Sequence, residues 1–250
     1  MKRIRLIPAL LIDNRRLIKT RKFKNPRYLG DPINVIKIFN EKEVDEIMVL
    51  DIYSSKKKRD IDYQFLSYLS EECFMPLSYG GGINSLEKAT RIFDVGIEKI
   101  VIQSSFFKNP KLVNKIANKF GSQSIIISLD IVKLKGNYFV FQKNKFITFL
   151  KGKKIERFLN IIENSGAGEI FIQIINLDGT RKGADIKALD GWINKTKLPV
   201  IIAGGIRNLN DVNNYIESGA DAVAAGAFFV FHGPHDAVVI SYPKNNSLYI

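Results

Sequence analysis

A glycine-ending apolar stretch occurs twice in this chain, and its spacing constrains the fold more than any other feature. The first copy covers residues 76–83, the second covers residues 199–206, and a polar segment with helical spacing follows each. The offset between the copies is 123 positions, and it also joins Leu86 to Leu209, Gly96 to Gly219 and Phe106 to Phe229. A fixed offset held without a gap predicts two copies of one structural unit.

Eight short apolar segments read as strands that alternate with helical segments. They cover residues 4–12, 46–50, 75–79, 99–102, 124–129, 169–175, 200–203 and 222–225. Continuous apolar runs of this kind are typical of strands buried on both faces of a parallel sheet. Eight of them in 250 residues predict one α/β domain, a (β/α)8 TIM barrel with a twofold internal repeat and half-barrels of about 1–121 and 122–250.

The connecting segments predict seven helices. One begins at Asp31-Pro32, and the others cover residues 59–72, 86–95, 109–120, 155–165, 186–195 and 209–218. We expect residues 14–30 to form a long basic loop and residues 133–149 to form a hairpin. After Phe231, a β-rich tail is expected in place of a regular last helix.

The composition restricts partners and compartment. A net charge of +13 fits nucleic acid, anionic lipid or phosphorylated ligands, but the basic clusters lie in loops and no nucleic-acid module is visible. We therefore read the charge as solvated surface that also steers phosphates. No apolar run approaches the roughly 20 residues of a membrane span, so no membrane association is expected. The single Cys73 excludes an internal disulfide and indicates a packed residue in a reducing, cytoplasmic setting.

The carboxyl ends of the predicted strands carry two sets of glycines and small polar residues. Such residues let backbone N–H groups approach an oxyanion, and a following helix start adds positive charge. One expected phosphate cradle combines Gly81, Gly82 and Ser104, next to Gln103, and its twin combines Gly205, Gly226 and Ala227, with Gly179 nearby. A ligand with two phosphates is the natural inference. The alternative is that these are ordinary turn glycines.

Asp51 and Asp130 also end predicted strands, where a carboxylate is a candidate general acid or base. The alternative is a structural role, as partner of a loop N–H or of Lys19. When the two halves are aligned, Leu11 falls opposite Asp130, so a symmetric aspartate pair is absent. His232 and His235 are spaced for metal binding, but no cysteine or acidic cluster supports them, and we expect neither a metal nor a cofactor.

The opposite strand ends are charged. Arg5, Glu46, Lys99 and Glu169 lie near the starts of four strands, where barrel alternation can point all of them inward. Buried charges are costly unless they are paired, so we expect a self-neutralising ring at this face. Ordinary salt bridges on the barrel rim are the alternative.

Several stretches together resemble HisF, the synthase (cyclase) subunit of imidazole glycerol phosphate synthase, over essentially the whole chain. They are Gly30-Asp31-Pro32, residues 45–52, Gly80-Gly81-Gly82-Ile83, Phe120-Gly121-Ser122-Gln123, Gly166-Ala167-Gly168-Glu169, Asp178-Gly179-Thr180 and Gly219-Ala220-Asp221-Ala222. The resemblance implies a barrel that binds a ligand with two phosphates. It also implies a HisH glutaminase partner on the bottom face, whose ammonia crosses the barrel to the top.

The resemblance also implies roles for particular residues. The four-charge ring matches the family's ammonia gate, and Asp45 and Glu98 fall where the family contacts its partner. Lys19 matches a lysine on the family's mobile active-site loop, while Asp51 and Asp178 join the expected ligand-binding set.

The sequence departs from the family at the catalytic positions. HisF cyclases use two aspartates; Asp130 matches one, but the other falls on Leu11, and Asp13 should not replace it. Asn176-Leu177 before Asp178 is also unusual, and the ending at residues 231–235 resembles HisF-like paralogues of surface-polysaccharide gene sets. Those are thought to work with a HisH-like glutaminase and a sugar amidotransferase.

Three functions are compatible with these observations. The first is an ammonia-conducting subunit that serves amidination of a nucleotide-linked sugar. The second is a true cyclase of histidine biosynthesis, with Asp51 or Asp178 substituting for the lost acid or base. The third is a non-catalytic, phosphate-binding activator of the glutaminase.

Overall fold

The computed structural model describes residues 3–57, 59–142, 145–233, 235–244 and 248. Its strands are β1 (Arg5–Asp13), β2 (Arg16–Arg21), β3 (Lys24–Gly30), β4 (Ile47–Asp51), β5 (Leu77–Gly80), β6 (Lys99–Ile102), β7 (Ile125–Leu134), β8 (Asn137–Gln142), β9 (Lys145–Phe149), β10 (Glu169–Ile174), β11 (Val200–Ala203), β12 (Ala222–Ala225), β13 (Phe231–His232) and β14 (Ala237–Val238). Eight of these pair in parallel in the closed order β1-β4-β5-β6-β7-β10-β11-β12-β1. The TIM barrel expected from the sequence is confirmed.

Helices cover the outside of the barrel. They are α1 (Pro32–Glu41), α2 (Ser54–Lys57), α3 (Tyr63–Glu72), α4 (Leu86–Asp94), α5 (Ser104–Lys108), α6 (Pro110–Phe120), α7 (Lys153–Asn164), α8 (Leu209–Glu217) and α9 (Ala227–Val230). Asp31 caps α1 by accepting from Ile33 N at 2.7 Å, with Pro32 in the first turn, as the sequence indicates. No described helix is both long enough and apolar enough to cross a membrane.

The offset of 123 residues recurs in the structure. It relates β5 to β11, β6 to β12 and α4 to α8 residue by residue. Even a small contact is repeated: Glu98 accepts a hydrogen bond from Leu77 N at 2.8 Å, and Asp221 accepts one from Val200 N at 2.9 Å. The repeated sequence therefore encodes repeated local geometry.

Residues 14–30 form a hairpin, so the expected basic loop is wrong. The strands β2 and β3 extend β1 in an antiparallel ribbon, with Leu11 opposite Ile18. The turn from β1 to β2 places Asn14 and Arg15 at φ of 51° and 62°, and the turn from β2 to β3 places Lys22 and Phe23 at 53° and 61°; both are the left-handed pair that two-residue hairpins require. The second position of such a turn usually holds glycine. Because Arg15 stands there instead in the first turn, the sequence does not predict that turn.

The helix expected at residues 186–195 is also wrong. Two single 3₁₀ turns, Ile186–Ala188 and Ile193–Lys195, stand there instead. Gly191 between them has a φ of 78°, which interrupts a helical path. Trp192 is buried in the hydrophobic core, which holds the irregular segment against the barrel, and its indole N–H donates to Ala188 O of the same segment at 2.8 Å.

A hairpin does form at residues 133–149, as expected: β7 runs on past the barrel and pairs with β8, which pairs with β9. After Phe231 the chain forms the small pair β13–β14 in place of a regular last helix.

Strand alternation sorts the barrel interior into layers. On β1, Arg5, Ile7, Ala9 and Leu11 are spaced two residues apart and therefore share the inward face. The central layer is apolar and includes Ile7, Met48, Val101, Ile126, Phe171 and Ile201. Charged side chains lie below it and the glycine-rich strand ends above it, so the barrel has two chemically different mouths.

Candidate functional site

Four charged side chains close the bottom of the barrel in a ring, which we call the charge ring: Arg5, Glu46, Lys99 and Glu169. Arg5 contacts Glu46 at 2.9 Å and Glu169 at 2.7 Å. Lys99 contacts the same two carboxylates at 3.2 Å and 2.7 Å. Each cation thus bridges both anions, which is the self-neutralising arrangement that the sequence predicts.

Burial and charge act in opposite directions on the charge ring. Burial lowers the pKa of the Arg5 guanidinium, but the charges of Glu46 and Glu169 outweigh it and hold that pKa above its ordinary value. The Glu46 side chain is only 4% exposed. Its Oε1 is buried with no hydrogen-bond donor among the described residues, while Oε2 accepts from Arg5 and Lys99. The ring therefore keeps one unfilled acceptor inside the barrel wall.

Asp45 and Glu98 lie beside the ring and make contacts within the chain. Asp45 pairs with Arg3 at 2.6 Å and accepts from the Tyr242 hydroxyl at 3.2 Å. Glu98 accepts from Leu77 N. Both carboxylates thus fix the backbone of the bottom face, and the partner contact expected of them stays a prediction.

At the top, the β2–β3 hairpin folds over the barrel and is held by one carboxylate. Asp178 is 3% exposed and accepts from Lys19 Nζ at 2.5 Å, from the Thr20 hydroxyl at 2.8 Å and from Phe23 N at 3.1 Å. Lys19, itself 7% exposed, is thereby drawn to the mouth. Asp178 therefore anchors the hairpin over the barrel mouth.

The second cradle, Lys19 and Asp178 surround one small cavity, which we call the mouth cavity. Its walls include Leu11, Lys19, Asp178, Gly179, Gly205, Gly226 and Ala227. The free space is about 30 Å³, which admits a few water molecules and no sugar phosphate. The structure therefore brings these expected residues together around one small cavity.

The first cradle lies outside the mouth cavity. Gly81 packs against Asp51, where a Cβ would lie 2.8 Å from the aspartate Cβ. Gly82 packs against Ser54, whose Oγ would lie 2.3 Å from a Cβ. Gln103 and Ser104, at the start of α5, are half-buried. Close packing against the end of β4 and the start of α2 thus explains these two glycines, while the phosphate role of the set stays a prediction.

Leu11 is an apolar wall residue. It is 5% exposed, pairs in register with Leu50 and Ile18, and lines the mouth cavity. Asp13, two residues on, is held by Arg59 at 2.7 Å and Lys57 at 3.1 Å. Partial burial raises the pKa of Asp13, but the hydrogen bonds of Lys57 and Arg59 outweigh that effect and hold it below its ordinary value. Asp13 therefore does not supply the proton-transfer group that position 11 lacks.

Asp51 is a capping residue. Its Oδ1 accepts from Tyr53 N at 3.0 Å and Ser54 N at 2.8 Å at the start of α2, and Arg59 approaches it at 3.3 Å. All of these contacts are made with the backbone of the following helix or with a neighbouring cation. This is the structural role that the sequence leaves open.

Asp130 is half-buried on the inward face of β7, in register with Gln173 on β10. Gln173 and Arg181 also line the mouth cavity, and sequence reasoning did not select them. The alternation of Glu169, Phe171 and Gln173 on one face is the signal that could have found the glutamine. Arg181 pairs with Asp236 and donates to Phe231 O at 3.2 Å, so it ties the mouth to the tail.

The remaining reactive side chains, those of His232, His235 and Cys73, do not line the mouth cavity. His232 and His235 are exposed, and among the described residues no three His, Cys, Asp or Glu side chains are grouped to hold a metal. Burial raises the pKa of the Cys73 thiol to about 11, and its sulfur contacts Met75. A protonated, packed thiol agrees with the structural interpretation of Cys73.

Comparison with known proteins gives one consistent result. A family model described as histidine biosynthesis protein matches residues 5–235. A Pseudomonas aeruginosa protein provisionally named imidazole glycerol phosphate synthase subunit hisF2 is 44% identical over 99% of both chains. A Leptospira interrogans protein, provisionally named a HisF subunit, is 42% identical over 96% of this chain and 95% of its own. The Helicobacter hepaticus imidazole glycerol phosphate synthase subunit HisF is 32% identical, over 90% and 89%.

Proposed function

The chain belongs to the histidine biosynthesis protein family as a HisF-like synthase subunit, and from this premise we propose that it conducts ammonia through its barrel for another enzyme. The ammonia comes from a HisH-like glutaminase at the bottom face. The acceptor is a nucleotide-linked sugar that is amidinated during surface-polysaccharide biosynthesis, in the cytoplasm. A sugar amidotransferase completes the complex.

One observation carries the proposal: the charge ring is complete, whereas the mouth lacks half of its acid–base pair. All four ring contacts are 3.2 Å or shorter. Leu11, by contrast, is buried and apolar where a cyclase of this family has an aspartate. Cyclase activity requires both the charge ring and the complete acid–base pair at the mouth. Ammonia transfer to another enzyme requires only the charge ring.

The charge ring and the apolar layer above it favour passage of a small neutral molecule such as ammonia. Ammonia that enters past Arg5 and Lys99 can donate to Oε1 of Glu46, the unfilled acceptor. Above it lies the apolar layer around Ile7, Met48 and Phe171. Because an apolar interior disfavours a charged species, this layer selects ammonia over ammonium.

The mouth argues against the cyclase alternative. Loss of a general acid or base typically costs about 10²- to 10⁴-fold in rate, so a substitute is needed. Asp51 is occupied by the α2 cap and Arg59, and Asp178 by Lys19, Thr20 and Phe23 N. Both carboxylates are already committed to donors within the chain, so neither stands free in the mouth as a substitute for the missing aspartate.

Lys19 and Arg181 support a phosphorylated acceptor, because both line the mouth cavity. Each cation is paired with an aspartate, Asp178 or Asp236, in the closed state. A diphosphate replaces those carboxylates as the counter-charge when the β2–β3 hairpin opens.

The purified chain, supplied with the ribonucleotide intermediate of the histidine pathway and an ammonium salt, tests the proposal. We expect no imidazole glycerol phosphate above background. Robust formation of that product would establish the cyclase instead. Addition of the glutaminase, the sugar amidotransferase, ATP and glutamine should then yield the amidinated nucleotide sugar. Stimulated glutaminase turnover with no amidinated product would favour the activator role.

A further inference from the structure

A groove with an aromatic floor lies on the outer side of the β8–β9 hairpin and α7. We call it the aromatic groove; it has a volume of about 540 Å³ and is lined by Phe139, Phe146, Ile147, Phe149, Phe158 and Ile161. It shares no lining residue with the mouth cavity. The groove is therefore a separate feature of the surface.

The floor of the groove is packed and its edge is exposed. Phe139 contacts Phe146 and Phe149 with ring centroids 5.1 Å and 5.2 Å apart, and Phe158 stacks on Phe107 at 6.0 Å. Yet Phe146 is 53% exposed and Ile161 is 50% exposed. Two large apolar side chains thus stay half in solvent at the edge of a packed aromatic cluster, where a partner could cover them.

The rim of the groove is basic. Lys154 and Arg157 line the groove and are exposed, and in the described ranges neither of them has a carboxylate within 4.0 Å. Glu156 on α7 is instead paired with Lys195 at 2.5 Å. An occupant of the groove therefore gains from negative charge around its apolar anchors.

The charge and shape of the groove discriminate among three possible occupants: a second copy of the chain, a lipid surface and a segment of another protein. A second copy of the chain would bring two basic rims together, which is repulsive. A lipid surface favours a protruding apolar face, whereas these side chains line a shallow, open recess. A protein segment that lies across the surface fits both this shallow shape and the basic rim.

The location of the groove is compatible with the bottom-face partner. Residues 131–134 of β7, at the carboxyl ends of the barrel strands, pair with β8, so the hairpin lies at that end of the barrel. The charge ring is at the other end of the barrel. A protein seated on the aromatic groove thus leaves the ammonia entrance open.

We propose that the aromatic groove docks an acidic segment with aromatic or aliphatic anchors, contributed by the protein that uses the conducted ammonia. The identity of that protein rests on the proposed function, whereas the chemistry of the segment follows from the groove alone.

A random 12-residue peptide library, selected on the full chain and counter-selected on the Phe146→Ser/Ile161→Ser variant, tests the docking. The expected result is a set of peptides that carry several Asp or Glu residues around aromatic or aliphatic anchors. The binding of the best peptide should weaken about tenfold or more in Phe146→Ser and in Lys154→Glu/Arg157→Glu. It should also weaken as salt rises from about 0.05 to 0.5 M.

Phe74→Ser is the matched control, because Phe74 is 84% exposed and lies outside the groove; this variant should bind as the wild type does. Circular dichroism checks that each variant is folded. Three results would overturn the proposal: no groove-dependent peptides, enriched peptides that are neutral or basic, or groove-dependent binding to phosphatidylglycerol vesicles or to a second copy. None of these readouts uses ammonia transfer, so the two proposals can fail separately.

Discussion

The two halves of this barrel carry equivalent hairpins, but one packs inward over the mouth and the other turns its aromatic side chains outward. In the first half, the β2–β3 hairpin folds inward, and its Lys19 and Thr20 contact Asp178 at 2.5 Å and 2.8 Å. In the second half, the β8–β9 hairpin turns its aromatic side outward and leaves Phe146 53% exposed. One hairpin covers the mouth, and the other presents a docking surface.

The strands that lead into these hairpins also differ in the residue that each one brings to the mouth. β1 brings Leu11 to the mouth and β7 brings Asp130, although both strands continue into an antiparallel ribbon in the same way. The cores of the halves, by contrast, match residue by residue from β5 to α4 and from β11 to α8. Duplication has therefore kept the scaffold while chemistry and contacts diverged at the strand ends.

Substitution of Leu11 by aspartate should remove the largest difference between the halves. If the scaffold is otherwise equivalent, Leu11→Asp gives cyclase activity about 10²- to 10⁴-fold above wild type, the usual contribution of a general acid or base. Leu11→Asn is the control of similar size without a titratable group. Equal activity of the two variants would show that the mouth has diverged beyond this position.

Removal of the carboxylate that holds the inward hairpin should have the next largest effect. Asp178→Ala leaves Lys19 buried without its counter-charge, so we expect a loss of about 3 kcal/mol in unfolding free energy. Trypsin should also cleave faster at Arg21 and Lys24. Lys133→Ala breaks an exposed ion pair with Asp185 on the outward hairpin and should cost about 0.5 kcal/mol. Similar losses of unfolding free energy in the two variants would contradict the role of Asp178 as the anchor of the β2–β3 hairpin.

The paired glycines test whether equivalent positions tolerate change equally. Gly82 and Gly205 have φ of 67° and 82°, so alanine costs about 1 kcal/mol at either. A Cβ at Gly205 would also meet Gly183 O, a backbone atom, at 2.2 Å, whereas at Gly82 it would meet the Ser54 hydroxyl. Gly205→Ala should therefore lower the melting temperature more. Ser54→Ala should relieve Gly82→Ala, and no relief would refute the steric reason.

The smallest effect is expected where the halves match best. Glu98→Ala and Asp221→Ala each remove one hydrogen bond to a strand N–H, so both should cost about 1 kcal/mol in urea unfolding. If Glu98 also contacts the glutaminase, only its variant weakens the complex in calorimetric titration. Equal affinities would limit Glu98 to its structural role.

The sequence predicted the parts of the molecule that follow from repetition and alternation. The period of two along β1 places Arg5 and Leu11 on one face, and the offset of 123 residues relates the two glycine turns. It did not predict the hairpin at Asn14-Arg15 or the pairing of Arg181 with Asp236, which lie 55 residues apart. Turns without glycine and contacts between distant loops depend on tertiary packing, which leaves no local pattern.

The most direct test of the account follows nitrogen through the barrel. The reconstituted complex with glutaminase and sugar amidotransferase receives glutamine labelled with ¹⁵N in its amide, together with unlabelled ammonium in excess. If ammonia crosses the charge ring without leaving the protein, the amidinated nucleotide sugar carries mostly ¹⁵N, and Arg5→Ala/Lys99→Ala dilutes the label. A wild-type product with the isotope ratio of bulk ammonium would contradict conduction through this barrel.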